Sequence, residues 1–196
     1  MTTDFAISTE HSPIDLLLSR ASALKLTEPG PSQEQIETML KAAVTAADHG
    51  RLRPWRFVVM QGEGRRRLGD LLAEVQGTIK PGISSEDLEK ARDKALRAPL
   101  VIALVCQANP AHKVPVLEQQ FAAAGAGAQL MLAAKALGFG SNWRTGAAAD
   151  HPVMREGLGF GPQDAIIGFF YIGSEPKASP LPRASTEAVV QYWNER

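Results

Sequence analysis

The sequence contains a single cysteine, Cys106, among its 196 residues. One cysteine cannot form an internal disulfide, so the chain is not a disulfide-stabilised secreted scaffold and fits a reducing compartment. Cys106 ends the apolar run Leu100–Cys106, which predicts an inert thiol in the core. The stability of the protein must therefore come from its hydrophobic core and not from covalent cross-links.

An excess of charge is also absent, since 21 basic residues are matched by 21 acidic ones. A chain without net charge has no electrostatic reason to bind nucleic acid or an anionic membrane. The longest weakly charged run, Phe121–Ala134, is shorter than the roughly 20 apolar residues that span a bilayer. Residues 1–13 lack the basic and apolar regions of a signal peptide. We therefore expect a cytoplasmic protein with neither nucleic-acid nor membrane partners.

Several common catalytic motifs are missing as well. No G-x-G-x-x-G sequence follows a predicted strand, which argues against a Rossmann domain, and no Walker loop is present. The four histidines show no metal-ligand spacing. No serine, histidine and aspartate motif occurs in a nucleophile context, so the sequence gives hydrolase chemistry no support.

The sequence does contain a clear succession of helix and strand signals. Residues 1–11 predict a flexible tail, and residues 12–196 predict one domain. Ser12 begins a capping pattern that predicts a first helix to about Arg20. Further helices are predicted from Ser32 to about Gly50, around 68–75, after Ser84, over 116–138 and over 150–158, and strands at 54–60, 100–106, 139–144 and 165–172. This order predicts an α+β fold and not a regular βαβ winding.

The predicted first helix has apolar residues at helical spacing, and we expect Ile14, Leu17 and Leu18 to face inward. Near the other end of the chain, the segment 189–193 is apolar and aromatic. It follows a proline-broken stretch and is a candidate for one more strand. The expected partner of that strand is the sheet of a neighbouring molecule.

The most informative segment covers residues 116–145, where a long and almost uncharged helix precedes Trp143, Arg144 and Thr145. An aromatic ring, a guanidinium group and a hydroxyl in succession suit a planar ligand that carries an anionic group. The small residues 122–127 of the helix allow another backbone to approach closely. The residues leave one alternative open, a core tryptophan beside an arginine in a structural ion pair.

A second candidate cluster lies at the predicted end of the first helix, where Arg20, Ser22 and Lys25 fall within six residues. A guanidinium, a hydroxyl and an ammonium group together can bind a phosphate. The alternative is a basic helix C-terminus that complements the helix dipole. His49 is predicted to lie in a loop, where a histidine is most often structural or solvent-exposed.

Taken in order, the motifs between residues 13 and 193 resemble the nitroreductase family, most closely its short YdjA-like members, the minimal flavin-dependent nitroreductases. The segments that carry this resemblance are 20–22, 27–29, 47–49, 54–57, 62–65, 97–99, 112–115, 118–119, 138–140, 143–145, 152–156 and 168–173.

The resemblance implies an α+β nitroreductase-type fold with a central mixed, mainly antiparallel sheet flanked by helices. It implies a homodimer whose C-terminal segments extend onto the partner subunit, with FMN in a groove between the subunits. The positions that match flavin-contacting positions of the family are Arg20, Ala21, Ser22, Lys25, Thr45, His49, Trp143, Arg144 and Thr145.

Two of these positions depart from the family pattern, because its short members often carry arginine where this chain has Ala21 and Thr45. The loss of a side-chain contact at each position predicts weaker FMN binding, although backbone contacts can persist at Ala21. Lys25 matches a basic position near the pyrimidine edge of the flavin.

By function, the resemblance implies an oxidoreductase that passes electrons from NAD(P)H through FMN to a nitroaromatic, quinone or similar small acceptor. No catalytic side chain is required, since the flavin carries the chemistry. The departures at Ala21 and Thr45 motivate an alternative, a flavin-binding or flavin-handling protein without robust NAD(P)H oxidation. A third hypothesis is a cofactor-free interaction domain. No ribose-reading motif distinguishes NADH from NADPH.

Overall fold

The structure is a computed structural model that describes residues 12–177, 183 and 185–194, so the predicted tail at residues 1–11 lies outside it. Within this part of the chain the elements are α1 (Pro13–Ser19), α2 (Gln33–Ala43), β1 (Trp55–Met60), α3 (Glu63–Ile79), α4 (Ser85–Asp93), β2 (Leu100–Cys106), α5 (Val116–Ala136), β3 (Gly140–Arg144), α6 (Ala147–Asp150), α7 (Pro152–Gly157) and β4 (Ala165–Gly173). Short 3₁₀ helices occupy His49–Arg51, Lys94–Leu96 and Thr186–Ala188.

The four strands form one sheet in the order β1–β2–β4–β3, and every neighbouring pair is antiparallel. Among the described residues the single parallel pairing is an isolated bridge between Ser22 and Ser141. β2 lies between two strands and is buried along its whole length, as its uninterrupted apolar sequence predicts. The predicted α+β class and the mainly antiparallel sheet are therefore confirmed.

Helices cover both faces of the sheet. Ile102 and Phe170 lie on the face that packs against α2 and α5. Val101, Phe169 and Tyr171 lie on the opposite face, which α3, α6 and α7 cover. Because neighbouring residues of a strand point to opposite faces, β4 sends Phe170 to one layer and Tyr171 to the other. Cys106 is buried, and burial raises the pKa of its thiol to about 11, as expected of an inert core cysteine.

The side of α1 that was predicted to face inward is open to solvent in this chain. Ser12 caps the helix as predicted, but Ile14, Leu17 and Leu18 are 60%, 51% and 65% exposed. The helical spacing correctly marks an apolar face, but spacing alone does not show which surface covers it. Within a single chain α1 packs against α5 at the outside of the layer, so this apolar face is left uncovered.

Two other predictions need correction. α2 ends at Ala43 instead of near Gly50, because the backbone leaves helical geometry at Val44. Gly50 does adopt the predicted left-handed conformation, with φ of 79°, but within a separate 3₁₀ helix. The segment 189–193 forms no strand in this chain.

The small residues 122–127 of α5 were predicted to allow another backbone to approach closely. At Gly127 the groups that come close are side chains instead. A methyl group there would lie 2.5 Å from Phe170 Cζ and 3.2 Å from Leu104 Cδ2. We expect Gly127→Ala to lower the free energy of unfolding by about 1–3 kcal/mol through overpacking, although alanine is the better helix former.

Gly125→Ala on the same helix is the matched control, because its new methyl group would meet Ala46 Cβ at an ordinary 3.8 Å. This variant should gain about 0.5–1 kcal/mol from helix propensity. Thermal unfolding of both variants makes the comparison. A similar gain for Gly127→Ala would show that the Phe170 ring moves aside freely.

Candidate functional site

The two candidate clusters, 120 residues apart in sequence, share one edge of the sheet. The Ala23 N–H donates a hydrogen bond to the Ser141 carbonyl at 2.9 Å, and Asn142 Nδ2 donates to the Ala23 carbonyl at 2.9 Å. These bonds hold the segment after α1 alongside β3, whose last residue is Arg144. Tertiary hydrogen bonds therefore place Ser22 and Lys25 next to the strand that carries Trp143 and Arg144.

Two adjoining cavities lie at this edge. The smaller, of about 390 Å³, is lined by Lys25 and Asn142, and the larger, of about 490 Å³, is lined by Thr145 and Lys94. Both are lined by the same three residues, Arg97, Arg144 and Tyr171. Among the described residues, no aspartate or glutamate lines either cavity, and the cations that do line them give this pair of cavities a positive potential.

Arg144 lies at the wall between the cavities. Its guanidinium carbon is 6.0 Å from the centre of the Tyr171 ring, within the range of a cation–π contact. No carboxylate among the described residues comes within 4.0 Å of it, so the structural ion pair that the sequence left open is not found in that part of the chain. The exposed guanidinium group remains available to an anionic ligand.

Tyr171 forms a wall of both cavities. Burial raises the pKa of its phenol, and the positive charges of Arg144 and Arg97 oppose that shift. The group therefore stays protonated at neutral pH and keeps an O–H donor. Its hydroxyl has no hydrogen-bond partner among the residues that the structure describes, so this donor is free to meet a ligand.

Trp143 has a different role from its neighbour. Its indole Nε1 donates to the Ile167 carbonyl at 3.1 Å, and its ring centre lies 4.9 Å from that of Phe170. A methyl group on Gly168 would lie 2.0 Å from this Nε1, so glycine is required there for the close packing. For Trp143 the structure favours the core alternative, in which the ring anchors the end of β3 and thereby orients Arg144.

Arg183 is a basic residue near the site that the sequence did not single out. It donates hydrogen bonds to the carbonyl of Leu18, at 2.9 Å, and to that of Arg20. The last carbonyls of a helix have no partner within the helix, so an arginine satisfies them well. The contact places a second guanidinium group beside Arg20. No sequence signal links these two residues, which are far apart along the chain.

Thr45 and His49 lie apart from the other candidate residues. The Thr45 hydroxyl is 2.8 Å from both the Ala42 carbonyl and Gln129 Oε1, and His49 Nδ1 is 2.7 Å from Glu118 Oε2. Gln129 and Glu118 belong to α5, so these contacts are in the layer on the far side of the sheet from Tyr171. Neither Thr45 nor His49 lines either cavity.

The described ranges contain no group of three histidine, cysteine or acidic side chains that could hold a metal ion. In the same part of the chain, no helix has the length and apolar character needed to cross a membrane.

Comparison with known proteins agrees with the fold and the sequence motifs. The family model described as "Nitroreductase family" matches residues 17–174. YdjA of Escherichia coli strain K12, provisionally named an NAD(P)H nitroreductase, is 42% identical over 88% of this chain and 91% of its own. A nitroreductase-like protein from Bacillus cereus superposes with a TM-score of 0.80 at 22% identity, and each chain is covered completely.

A protein from Desulfovibrio desulfuricans, solved in complex with FMN, has a TM-score of 0.71 at 19% identity over 93% of this chain and 98% of its own. At such identities these two solved structures support the fold alone. The family match and the YdjA identity extend over most of the chain, and the chain therefore belongs to the nitroreductase family and is an oxidoreductase of the nitroreductase type.

Proposed function

We propose that the protein is an FMN-dependent oxidoreductase that passes electrons from NAD(P)H to a nitroaromatic, quinone or similar small acceptor. The observation that supports this most directly is the pair of cavities around Arg144, which Lys25 and Arg97 also line and no carboxylate lines. Reduction of a flavin places negative charge on its pyrimidine edge. A site with fixed cations stabilises that charge and so favours the reduced form.

The residues at the sheet edge fit the parts of FMN. Arg20 and Ser22 would hold the phosphate, and Ala21 would contribute its backbone alone. Lys25 and Arg144 would lie at the pyrimidine edge, and the Thr145 hydroxyl would lie close to them. When bound, FMN would accept a hydride from NAD(P)H and supply two electrons to the acceptor. The side chains bind and orient the ring, and solvent can deliver protons.

The position of Thr45 and His49 supports a site shared between two subunits. Within one chain, Thr45 and His49 lie on the other side of the sheet from Lys25 and Arg144. One flavin can therefore contact both pairs of residues only if a second copy of the chain supplies one of the pairs. An exposed apolar surface is available for that copy. It comprises Ile14, Leu17 and Leu18 on α1 and Leu117 and Phe121 on α5, and each of these side chains is more than half exposed. A homodimer would bury this surface.

An absorption spectrum of the purified protein, followed by anaerobic addition of NADH and of NADPH, tests this function. We expect a yellow protein that bleaches within minutes and recovers its colour when an acceptor is added. A protein that stays yellow with both nucleotides would instead support the flavin-handling alternative. That alternative is motivated by Ala21, which has no long side chain to contact FMN, and by Thr45, whose hydroxyl is already hydrogen-bonded within the chain. A colourless protein that binds no added FMN would contradict both.

The proposed phosphate site predicts graded losses of affinity. Arg20→Ala should weaken FMN binding by about 2–3 kcal/mol, because it removes a charged hydrogen-bond donor, and Ser22→Ala by about 1 kcal/mol. Ser19→Ala is a matched control, since the Ser19 hydroxyl donates to the Leu16 carbonyl within the helix. Fluorescence titration of the apoprotein with FMN measures each effect. An unchanged affinity in Arg20→Ala would remove Arg20 from the site.

A further inference from the structure

The lining of the larger cavity combines two kinds of side chain. Leu72, Val75 and Ile79 of α3, with Phe169 of β4, are apolar and suit the face of a ring. The cations Lys94, Arg97 and Arg144 line the same cavity, and Arg144 is the cross-strand partner of Phe169. At about 490 Å³ the cavity falls within the usual size range of small-molecule sites and is too small for a whole dinucleotide.

Lys94 and Arg97 contribute a pair of positive charges to this cavity, and neither is among the positions that match flavin-contacting positions of the family. They lie three residues apart across the 3₁₀ turn Lys94–Leu96. Residues at that spacing in a 3₁₀ helix lie one above the other, so both side chains project to the same side. Neither cation comes within 4.0 Å of a carboxylate in the described part of the chain.

Lys94, Arg97 and Arg144 are exposed cations around one small cavity, and together they give it a positive potential that attracts an anionic ligand. Lys90, which lies in α4 just before this 3₁₀ helix, provides a contrast. It forms ion pairs with Glu86 at 2.7 Å and Asp87 at 3.4 Å and does not line the cavity. Lys90 therefore has acidic partners, whereas Lys94, which lines the cavity, has none among the described residues.

We propose that the larger cavity is the acceptor subsite and that Lys94 and Arg97 select acceptors in which a small aromatic ring carries a carboxylate. The ring would lie against Phe169 and the α3 side chains, and the carboxylate would meet the two cations. This inference rests on the proposed reductase function, in which the smaller cavity holds the pyrimidine end of the flavin and the larger cavity is left for the acceptor. The two cavities share that wall, so the acceptor would adjoin the cofactor.

For a nitrobenzoate the reaction balances without any further reagent. NAD(P)H supplies a hydride, which is two electrons and one proton, and solvent supplies a second proton. One nitrogen–oxygen bond of the nitro group breaks, the oxygen leaves as water, and the product is the nitroso compound. The carboxylate is unchanged and serves only for binding.

The test uses 4-nitrobenzoate and its neutral amide analogue, 4-nitrobenzamide, with FMN-loaded protein. We expect the wild-type protein to bind the benzoate roughly tenfold more tightly than the amide, in calorimetry with oxidised protein and in KM. In Lys94→Gln, whose side chain lines the larger cavity and not the smaller one, this preference should fall to about threefold or less, while binding of the amide stays unchanged. Lys90→Gln is the matched control and should keep the full preference.

Four results would overturn the proposal. These are equal binding of the two probes by the wild-type protein, a loss of both probes together in Lys94→Gln, a loss of FMN from that variant, and a change confined to KM for NADPH relative to NADH. The third would assign Lys94 to the cofactor, and the fourth would assign it to the 2′-phosphate of the nucleotide. Preferential binding of the benzoate without any reduction would overturn the reductase function and still support the carboxylate subsite.

Discussion

Arg144→Leu should give a folded protein that purifies with little flavin. Arg144 lines both cavities, and no described carboxylate competes for its guanidinium group. Replacing it with leucine removes a charged donor from the proposed pyrimidine edge. We expect FMN affinity to fall by about 2–3 kcal/mol, which is roughly 30- to 150-fold in Kd.

The structure also predicts that Arg144→Leu leaves the fold intact. Arg144 is exposed at the end of β3, and Trp143 anchors that strand end through its hydrogen bond to the Ile167 carbonyl. The thermal unfolding temperature of the apoprotein should therefore change little. Arg144→Lys keeps the charge but not the planar fork, and it should retain an intermediate affinity. Full flavin content and activity in Arg144→Leu would show that the flavin lies elsewhere.

The parts of the fold that were predicted from the sequence are those whose signals are local. The capping boxes at Ser12 and Ser32 form as predicted, because each needs only residues within one helical turn. β2 was evident from its unbroken apolar run, which only a buried central strand tolerates. The end of α2 was placed too late, since the residues after Ala43 have no strong helix-breaking signal before Gly50.

The predicted site shows a similar division. The sequence singled out Lys25 and Arg144 separately, and the fold brings both to one cavity. Lys94 gave no signal, and Arg97 belongs to a segment that carries the family resemblance but was not assigned to the site. A basic helix end is ordinary on a solvated surface, and only the fold turns these residues toward a cavity. Trp143 was predicted to meet a planar ligand together with its neighbours, and within this chain its indole packs against β4. Flavin contact at each of these positions stays a prediction.

Deleting residues 186–196 should dissociate the proposed dimer and release FMN. Within this chain Val189, Tyr192 and Trp193 are 80%, 81% and 80% exposed. In the described part of the chain, residues 191–194 make no backbone hydrogen bond to another backbone group. An extended segment with free backbone groups and exposed aromatic side chains is suited to add a strand to a neighbouring sheet.

The sheet has an edge that could receive this strand. β1 pairs only with β2 among the described residues, so its other side has unpaired backbone groups. Burying an aromatic side chain stabilises an interface by about 2–3 kcal/mol, and a symmetric exchange would bury Tyr192 and Trp193 twice. Even a net loss of about 4 kcal/mol per dimer would raise the dissociation constant roughly a thousandfold.

Flavin should leave together with the tail, although residues 186–194, the described part of the deleted segment, line neither cavity. A ligand held by two subunits is lost when they separate, because each subunit keeps only part of the contacts. The deletion retains Arg183, so the hydrogen bonds to the Leu18 and Arg20 carbonyls can persist in the truncated chain.

Tyr192→Ser/Trp193→Ser should reproduce most of the effect, whereas Gln191→Ala in the same segment should not. Light scattering and the flavin-to-protein absorbance ratio provide the two readouts. A truncated protein that remains a yellow dimer would show that the subunits associate through the apolar faces of α1 and α5 without the tail.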